Sequence, residues 1–174
     1  MPHDMDTHDE RPAHGTSPRR IGLISDTHGQ VRTRVHQALA GVELILHAGD
    51  VGGSDVLMEL ELIAPVRAVF GNTDIPGDPQ LSAEITLEID GITIHVSHGH
   101  ELGSPTPQAL LERYPQDVLV YGHTHRQLVT QAGGRLVVNP GAAGPARFNL
   151  VPSVAILTLG DVPYAELVPL VGST

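Results

Sequence analysis

The sequence predicts an α/β protein in which two β-sheets pack face to face and helices cover their outer faces. Three observations lead to this fold class. Strand-like and helical patterns alternate through residues 20–74, and the later apolar runs come in pairs around glycine turns. The total of about eight or nine strands and three helices is too many strands for one open sheet in 174 residues.

The first half of the chain is typical of a β-α-β-α-β unit. Val31, Val35 and Leu39 recur at helical spacing, and Ser54 is the predicted N-cap of the second helix. Strands joined by helices in this way pair in parallel through right-handed crossovers. The predicted strands are 20–25, 42–50 and 65–74, and the predicted helices are 31–40 and 54–63.

The second half is richer in strands. Residues 83–100 form two alternating runs around Asp90-Gly91, which is a strong hairpin signal. A helix is predicted over 106–114, where Thr106 is the N-cap and Pro107 occupies the first turn. Further strands are predicted within 117–125, 127–141 and 153–170, with turns at Gly133-Gly134 and Gly160-Asp161.

The domain organisation predicted is a short tail followed by one domain. Residues 1–19 are polar, contain three prolines and show no periodicity, so we expect a disordered tail in which His3, His8 and His14 are solvated. Residues 20–174 contain no linker and no internal repeat, and we expect them to form a single domain.

Composition excludes several classes of function. The chain has no cysteine, which rules out disulfides, thiolate metal sites and cysteine nucleophiles. The net charge is −10 and all ten basic residues are scattered arginines, so we expect no extended nucleic-acid partner. No apolar stretch approaches bilayer length and the N-terminus has no hydrophobic signal core, so we expect no membrane association and a cytoplasmic location.

Residues able to bind a cation follow the ends of five predicted strands. Because carboxyl ends of parallel strands meet at one edge of an α/β fold, we expect these residues to converge. A mixed oxygen and nitrogen donor set without sulfur suits Mn, Fe, Zn, Co or Ni rather than Ca or a structural zinc. The five segments are 25–29, 47–50, 71–74, 97–100 and 122–125.

Each segment alone has an ordinary structural explanation. Asp26-x-His28 and Gly-Asp are common in loops and turns, Gly-Asn-x-Asp is a common turn, and a single His98 is more often a hydrogen-bonded structural residue. The pair His123 and His125 is more informative, since Gly122 lets backbone approach closely. Only the order and spacing of all five segments together point to a metal site.

This series of motifs, D-x-H, G-D, G-N-x-D, G-H and G-H-x-H, strongly resembles that of the calcineurin-like metallophosphoesterase superfamily. The short chain without a cap insertion resembles the small YfcE-type phosphodiesterase branch. The segment "NPGAAGPAR" (139–147) is similar to an "NPGS…PR" segment of that branch, with Ala142 where serine is usual. The resemblance covers residues 21–147 and implies a four-layer α/β/β/α sandwich of two mixed sheets flanked by helices.

The resemblance implies two divalent transition-metal ions, with Mn favoured and Fe, Zn, Ni or Co as alternatives. It implies Asp26, His28, Asp50 and His125 as ligands of one ion, and Asp50, Asn72, His98 and His123 as ligands of the other. Asp50 would then bridge the two ions. If the segment after Gly122 is extended, alternate side chains point the same way, so His123 and His125 face the site while Thr124 points away.

The implied activity is hydrolysis of a small phosphate ester, favouring a phosphodiester, by attack of a metal-bound hydroxide on phosphorus. Asp74 is expected to orient a ligand, with a solvent-facing turn residue as the alternative. Many relatives have histidine where this chain has Thr73, which cannot act as an acid near pH 7. His100 is the candidate general acid, with a structural or rim histidine as the alternative, and Arg126 and Arg147 are candidate phosphate contacts.

Two other functions stay open. A phosphomonoesterase, such as a nucleotidase or phosphoprotein phosphatase, is weakened by Thr73 and by the lack of a cap. A non-catalytic scaffold similar to the small retromer subunit would be expected to have an incomplete metal site, whereas all seven expected ligands are present here. The expected partner is a small phosphorylated substrate, and homo-oligomerisation is left open.

Overall fold

The computed structural model describes residues 17–171, which contain eleven strands, three α-helices and one 3₁₀ turn. The first sheet contains β1 (Arg19–Ile24), β2 (Leu44–His47), β3 (Val66–Val69), β4 (Leu81–Ser82), β10 (Ser153–Leu159) and β11 (Tyr164–Pro169). The second contains β5 (Ile85–Ile89), β6 (Ile92–Val96), β7 (Val118–Val120), β8 (Leu128–Ala132) and β9 (Arg135–Asn139). The helices are α1 (Thr33–Ala38), α2 (Ser54–Glu61) and α3 (Pro107–Arg113), and the 3₁₀ turn is His100–Leu102.

Both sheets are mixed. The strand order in the first is β11-β10-β1-β2-β3-β4, with parallel pairing from β1 to β4 and antiparallel pairing of β10 with both of its neighbours. The order in the second is β5-β6-β7-β9-β8, with β6, β7 and β9 parallel. The carboxyl ends of β1, β2 and β3, and of β6 and β7, therefore supply the loops that position the site.

Three hydrophobic clusters hold the layers together. One lies between the sheets and joins residues such as Leu23 and Leu46 of the first to Ile94 and Val120 of the second. Another packs α1 and α2 on the outer face of the first sheet. The third packs α3 on the outer face of the second sheet through Leu110. This arrangement confirms the predicted four-layer α/β/β/α sandwich.

Most element predictions agree with the structure, but the N-cap of α2 and the short strand β4 differ from them. The hairpin at Asp90-Gly91 is present, with Ile89 paired to Ile92, and Thr106 caps α3 by accepting from the Ala109 N–H at 3.1 Å. Ser54 was predicted as the N-cap of α2 but is its first residue. Gly53 takes the cap position and supplies no side-chain hydrogen bond. The two-residue β4 is too short to show an alternating pattern.

The predicted boundary at residue 20 lies close to the start of the fold, since β1 begins at Arg19. Residues 1–16 of the predicted tail, including His3, His8 and His14, lie outside the described residues. Within residues 17–171 no helix is both long and apolar enough to cross a membrane.

Candidate metal centre

The structure brings the seven predicted metal ligands together where the two sheets meet at their carboxyl ends. Asp26 and His28 follow β1, Asp50 follows β2, and Asn72 follows β3. His98 follows β6, and His123 and His125 follow β7. Asp26, Asp50 and His98 are buried, the other three histidines are half-buried, and Asn72 is exposed. The cluster therefore has a dry floor and opens to solvent on the Asn72 side.

Asp26 forms the floor of the cluster. Its Oδ2 accepts hydrogen bonds from the Ser25 hydroxyl at 2.6 Å and from the His123 backbone N–H at 3.2 Å. Its Oδ1 is buried and has no hydrogen-bond partner within the described residues. Burying a carboxylate oxygen without a hydrogen-bond partner costs free energy, and a bound cation would offset that cost. Three imidazole Nε2 atoms surround it: His125 at 3.3 Å, His28 at 3.9 Å and His98 at 4.0 Å.

Asp50 lies between two of these imidazoles. Its Oδ1 accepts from the Thr73 backbone N–H at 2.9 Å, which leaves Oδ2 facing the cluster. That Oδ2 lies 3.4 Å from His98 Nε2 and 3.7 Å from His28 Nε2. In both carboxylates, one oxygen accepts hydrogen bonds from neighbouring protein groups and the other faces the cluster. Asp50 Oδ2 and Asp26 Oδ1 each lie within 4.0 Å of His28 Nε2 and of His98 Nε2, which belong to different predicted ligand sets.

Asn72 connects the remaining ligands. Its Oδ1 lies 3.0 Å from His98 Nε2 and 3.1 Å from His123 Nδ1. The Nδ1–H of His98 donates to the Ala48 carbonyl at 2.8 Å, which fixes the ring and turns Nε2 toward the cluster. At the other side, the Nε2 atoms of His28 and His125 are 3.4 Å apart. Asn72, His98 and His123 thus lie together on one side of the cluster, and His28 and His125 on the other.

The backbone at this site is unusual, because five of the seven residues have left-handed backbone angles. The φ values are 54° at Asp26, 46° at His28, 54° at Asp50, 71° at His123 and 60° at His125. Non-glycine residues rarely adopt this region, and such strain persists where the surroundings over-determine it. The extended segment expected after Gly122 is therefore wrong. His123 and His125 still face the cluster, through two left-handed residues rather than through strand alternation.

Two glycines allow the loops to approach one another. A Cβ at Gly122 would collide with the Ser25 hydroxyl and would lie 2.7 Å from Asp26 Oδ2. A Cβ at Gly71 would collide with the Asp50 carboxylate. Each glycine precedes a predicted ligand, so the small residue is required by the contact between ligand loops.

Protonation in the metal-free protein follows from burial and from the two carboxylates. Burial works against an ionised Asp50, but His98 and the Thr73 N–H hold the pKa of this carboxyl well below its usual range. Burial also disfavours a charged His98, yet its contacts with Asp50 and Asp26 outweigh this effect and raise its pKa. Burial lowers the pKa of His28 and of His123. These two rings are thus neutral near pH 7, the form that binds a metal.

The donor set fits divalent cations. Two groups of three have ligand atoms within 4.8 Å of one another: Asp26 with His28 and His125, and Asp26 with Asp50 and His98. Donors that share an ion at about 2.1 Å lie roughly 3–4 Å apart. The spacings around Asp26 Oδ1 and Asp50 Oδ2 fall in this range, and they are too long for ordinary hydrogen bonds.

Asp74 lies behind the ligands and holds two of their loops. Its Oδ2 accepts from the N–H groups of Val51 at 3.0 Å and Gly71 at 2.9 Å, and its Oδ1 accepts from Gly52 N–H at 3.0 Å. The carboxylate thus joins the loop that carries Asp50 to the loop that carries Asn72.

His100 lies at the rim, in the 3₁₀ turn. Its ring centroid is 5.3 Å from that of His98 and 6.4 Å from that of His123. Its side chain is 31% exposed, so the ring can meet a substrate from the open side. Arg147 is exposed, and its positive charge contributes to lowering the pKa of His28.

Sequence reasoning missed the residues that support the ligands. Ser25 was not singled out, although it donates to Asp26. Asn139 is fully buried and donates from Nδ2 to the Gly122 carbonyl at 3.1 Å and to the Thr124 hydroxyl at 3.0 Å, which holds the loop of His123 and His125. The "NPG" segment was the available signal for Asn139. Thr124 points away from the cluster, as expected.

Comparisons with known proteins agree with this geometry. Residues 20–161 match the model of the calcineurin-like phosphoesterase superfamily domain. A probable metallophosphoesterase of Methanothermobacter thermautotrophicus is 35% identical over 85% of this chain and 91% of its own length. A phosphodiesterase of Methanocaldococcus jannaschii is 29% identical over 86% of this chain and 98% of its own. In fold, the chain is similar to Vps29 of Entamoeba histolytica, solved in complex with Zn²⁺, with a TM-score of 0.69, 24% identity, and coverage of 86% of this chain and 98% of the other.

Proposed function

The chain belongs to the calcineurin-like phosphoesterase superfamily and is a metal-dependent phosphoesterase, and we propose that its reaction is hydrolysis of a small phosphodiester at a dinuclear metal centre. The observation that carries the proposal is the buried Asp26 Oδ1, which has no hydrogen-bond partner within residues 17–171 and is surrounded by the Nε2 atoms of His28, His98 and His125. Buried polar atoms in folded proteins nearly always have a hydrogen-bond partner, so an unpaired carboxylate oxygen indicates a binding site.

The ligand assignment follows the contacts. One ion would be held by Asp26, His28, Asp50 and His125, and the other by Asp50, Asn72, His98 and His123. Two divalent ions supply a water molecule of lowered pKa and neutralise the negative charge that builds up on phosphate oxygens. Manganese is our first candidate, and iron, zinc, nickel and cobalt suit the same oxygen and nitrogen donors.

The chain's own residues prepare this site. Ser25 and the His123 N–H hold Asp26, and the Thr73 N–H holds Asp50, so each carboxylate presents one fixed oxygen. The Ala48 carbonyl fixes the ring of His98. These hydrogen bonds are made before any substrate arrives, so little reorganisation is needed when charge develops on the phosphate.

Groups at the rim would handle the substrate. Arg147 supplies positive charge on the His28 side and would orient a phosphate oxygen. His100 would give a proton to the leaving oxygen, since Thr73 offers none at neutral pH. A cavity of about 280 Å³ is lined by residues that include Thr73, Leu57 and Ile75, and it has room for a small organic group.

The decisive assay uses the purified full chain and an activated aryl phosphodiester. We expect added Mn²⁺ to start hydrolysis and excess chelator to abolish it, with activity restored when Mn²⁺ is returned. The matching aryl phosphomonoester, assayed in parallel, distinguishes a diesterase from a monoesterase. Faster turnover of the monoester would replace our proposal with the phosphomonoesterase alternative.

The scaffold alternative requires this catalytic assay, because metal uptake alone does not test it. The Entamoeba histolytica Vps29 has a similar fold and was solved with zinc. A chain that binds manganese but hydrolyses neither ester under any of the candidate metals would favour a scaffold over an enzyme.

A further inference from the structure

A buried threonine–histidine pair lies directly beneath the ligand loops. Thr27 stands between Asp26 and His28, and His47 is the last residue of β2. The Thr27 hydroxyl and His47 Nε2 are 2.9 Å apart, and both side chains are fully buried. The predicted metal ligands do not include either residue.

The hydrogen bonds around this pair can be satisfied in only one direction. The Gly49 backbone N–H donates to His47 Nδ1 at 3.1 Å, so Nδ1 carries no proton. His47 Nε2–H must then donate to the Thr27 hydroxyl, and that hydroxyl donates to the Val51 carbonyl at 2.7 Å. Burial lowers the pKa of His47 to about 4, in agreement with a neutral ring.

The pair spans the two loops that carry Asp26, His28 and Asp50. Three backbone hydrogen bonds also join these loops: Asp26 N–H to Gly49 O at 3.0 Å, His28 N–H to Asp50 O at 3.0 Å and Gly29 N–H to Val51 O at 2.9 Å. These bonds tie the backbones together, and the fully buried Thr27, which lies between two left-handed residues, adds side-chain hydrogen bonds to His47 and to the Val51 carbonyl. Holding Thr27 therefore fixes the directions in which Asp26 and His28 point.

We infer that Thr27 and His47 form a clamp that positions Asp26, His28 and Asp50 for metal binding. This inference rests on the proposed function, since it assigns the clamp a role in that same site. The clamp acts through its effect on the ligand loops, so both members are positioning residues. Partners of this kind behind a metal site commonly contribute about 10- to 100-fold in metal affinity.

The test is Mn²⁺ binding to the metal-free full chain, measured by titration calorimetry. Thr27→Val keeps the shape of the side chain and removes the hydroxyl, and we expect it to weaken manganese binding by about 10- to 100-fold. Thr27→Ser keeps the hydroxyl and is expected to restore wild-type affinity. Rescue by serine would not be expected if only the methyl packing of Thr27 mattered.

A matched control exists in the other sheet. The Thr86 hydroxyl lies 3.3 Å from Nδ1 of the buried His95, away from the ligand loops. Thr86→Val removes the hydroxyl of an exposed threonine that contacts a buried histidine, and we expect it to leave manganese affinity unchanged. Wild-type affinity in Thr27→Val, or an equal loss in Thr27→Val and Thr86→Val, would overturn the clamp.

A second test, the protonation state of His47 in the wild-type chain, needs neither a folded variant nor a bound metal. Imidazole ¹⁵N spectra of the metal-free wild-type chain should show His47 as the neutral Nε2–H tautomer, and an Nδ1–H or charged ring would overturn the clamp. If the wild-type chain bound no manganese, the proposed function would fail. Backbone amide shifts of Asp26 and His28 in Thr27→Val would then decide the clamp: large shifts support it and unchanged shifts reject it.

Discussion

The two ends of the same three strands carry charged groups with opposite properties. At the amino ends of β1, β2 and β6 lie Arg19, Glu43 and Asp90, which we call the amino-end cluster. Arg19 Nε contacts Glu43 at 2.8 Å and its Nη1 lies 3.7 Å from Asp90. About half of each side chain is exposed to water. At the carboxyl ends of these strands lie Asp26, Asp50 and His98, which we call the carboxyl-end cluster.

The difference between the clusters lies in burial and in unpaired atoms. In the amino-end cluster, opposite charges face each other in water, where an ion pair contributes little to stability. In the carboxyl-end cluster, two buried carboxylates share one imidazole, and Asp26 Oδ1 has no hydrogen-bond partner in the described part of the chain. Burial of charge that is incompletely paired is typical of a site that binds something, whereas exposed, mutually paired charge is typical of an ordinary surface.

Asp50 and Asp90 allow the two clusters to be compared through one residue from each. Both are aspartates with left-handed backbone angles, with φ of 54° and 51°. Asp50 is buried beneath three donors, whereas the side chain of Asp90 is 58% exposed beside one arginine. Substituting each residue therefore separates the effect of the site from the effect of losing an aspartate in a strained turn.

The largest expected effect is that of Asp50→Ala. We expect it to reduce Mn²⁺-dependent hydrolysis of the aryl diester by about 1,000-fold or more, because the two ions together contribute several kcal/mol to the reaction and lose their shared ligand. Asp90→Ala should leave the rate close to that of the wild type. The measurements are initial rates at saturating Mn²⁺ and the metal content of each protein after dialysis.

Two outcomes would contradict this prediction. Equal losses of activity in Asp50→Ala and Asp90→Ala would mean that the turn conformation matters rather than the carboxylate. Full metal content in Asp50→Ala would contradict the assignment of Asp50 as a ligand of both ions.

The second prediction concerns pH and the buried His47 below the carboxyl-end cluster. Its folded pKa of about 4 lies below the unfolded value of 6.5, so between these values the unfolded state binds more protons. The free energy of unfolding should therefore fall as pH decreases from about 6.5 to 4, by about 3 kcal/mol from this group. Urea unfolding of the metal-free protein at pH 7, 5.5 and 4 checks this.

The control for the pH series is His47→Gln, which removes the titrating ring. We expect a shallower decrease in stability over the same interval, with less stability at pH 7. His98 acts in the other direction: its raised folded pKa adds stability at low pH that is lost as pH rises above 6.5 through that pKa. An identical pH dependence in wild type and His47→Gln would show that His47 is not the titrating group.

The smallest expected effect is that of removing His100, which lies at the rim of the carboxyl-end cluster, on the rate of hydrolysis. His100→Ala should slow hydrolysis of a diester with a poor, alkyl leaving group by roughly 10- to 100-fold, because a partly exposed acid can be partly replaced by water. An activated aryl diester, whose leaving group needs no proton, should be hydrolysed at nearly the wild-type rate. His36→Ala, which removes a half-buried partner of Glu59, is the matched control.

A uniform loss on both diesters would assign His100 a structural role. An unchanged rate on the alkyl diester would reject it as the acid. In either case the ligand assignment would stand, since His100 is not among the seven donors.

Much of the fold and of the donor set was predictable because the signals are local. The Asp90-Gly91 hairpin, the Thr106 cap and the parallel pairing of the first three strands depend on turn chemistry and on periodicity within a few residues. The motifs after each strand predicted which side chains would meet, since parallel strands must bring their carboxyl ends to the same edge. The N-cap of α2 was wrongly placed at Ser54 instead of Gly53, and the two-residue β4 was missed because so short a strand has no local pattern.

The sequence by itself determined most elements and turns, since these depend on residue type and spacing along the chain, and the resemblance of its motifs supplied the seven candidate ligands. The tertiary structure alone decided which carboxylate oxygen is left unpaired, which ring nitrogen faces inward, and that Thr27 and His47 meet beneath the site. His28 and His125, whose Nε2 atoms are 3.4 Å apart, are separated by 97 residues in the chain. Burial and protonation at such contacts depend on the packing of distant segments, which no local pattern encodes.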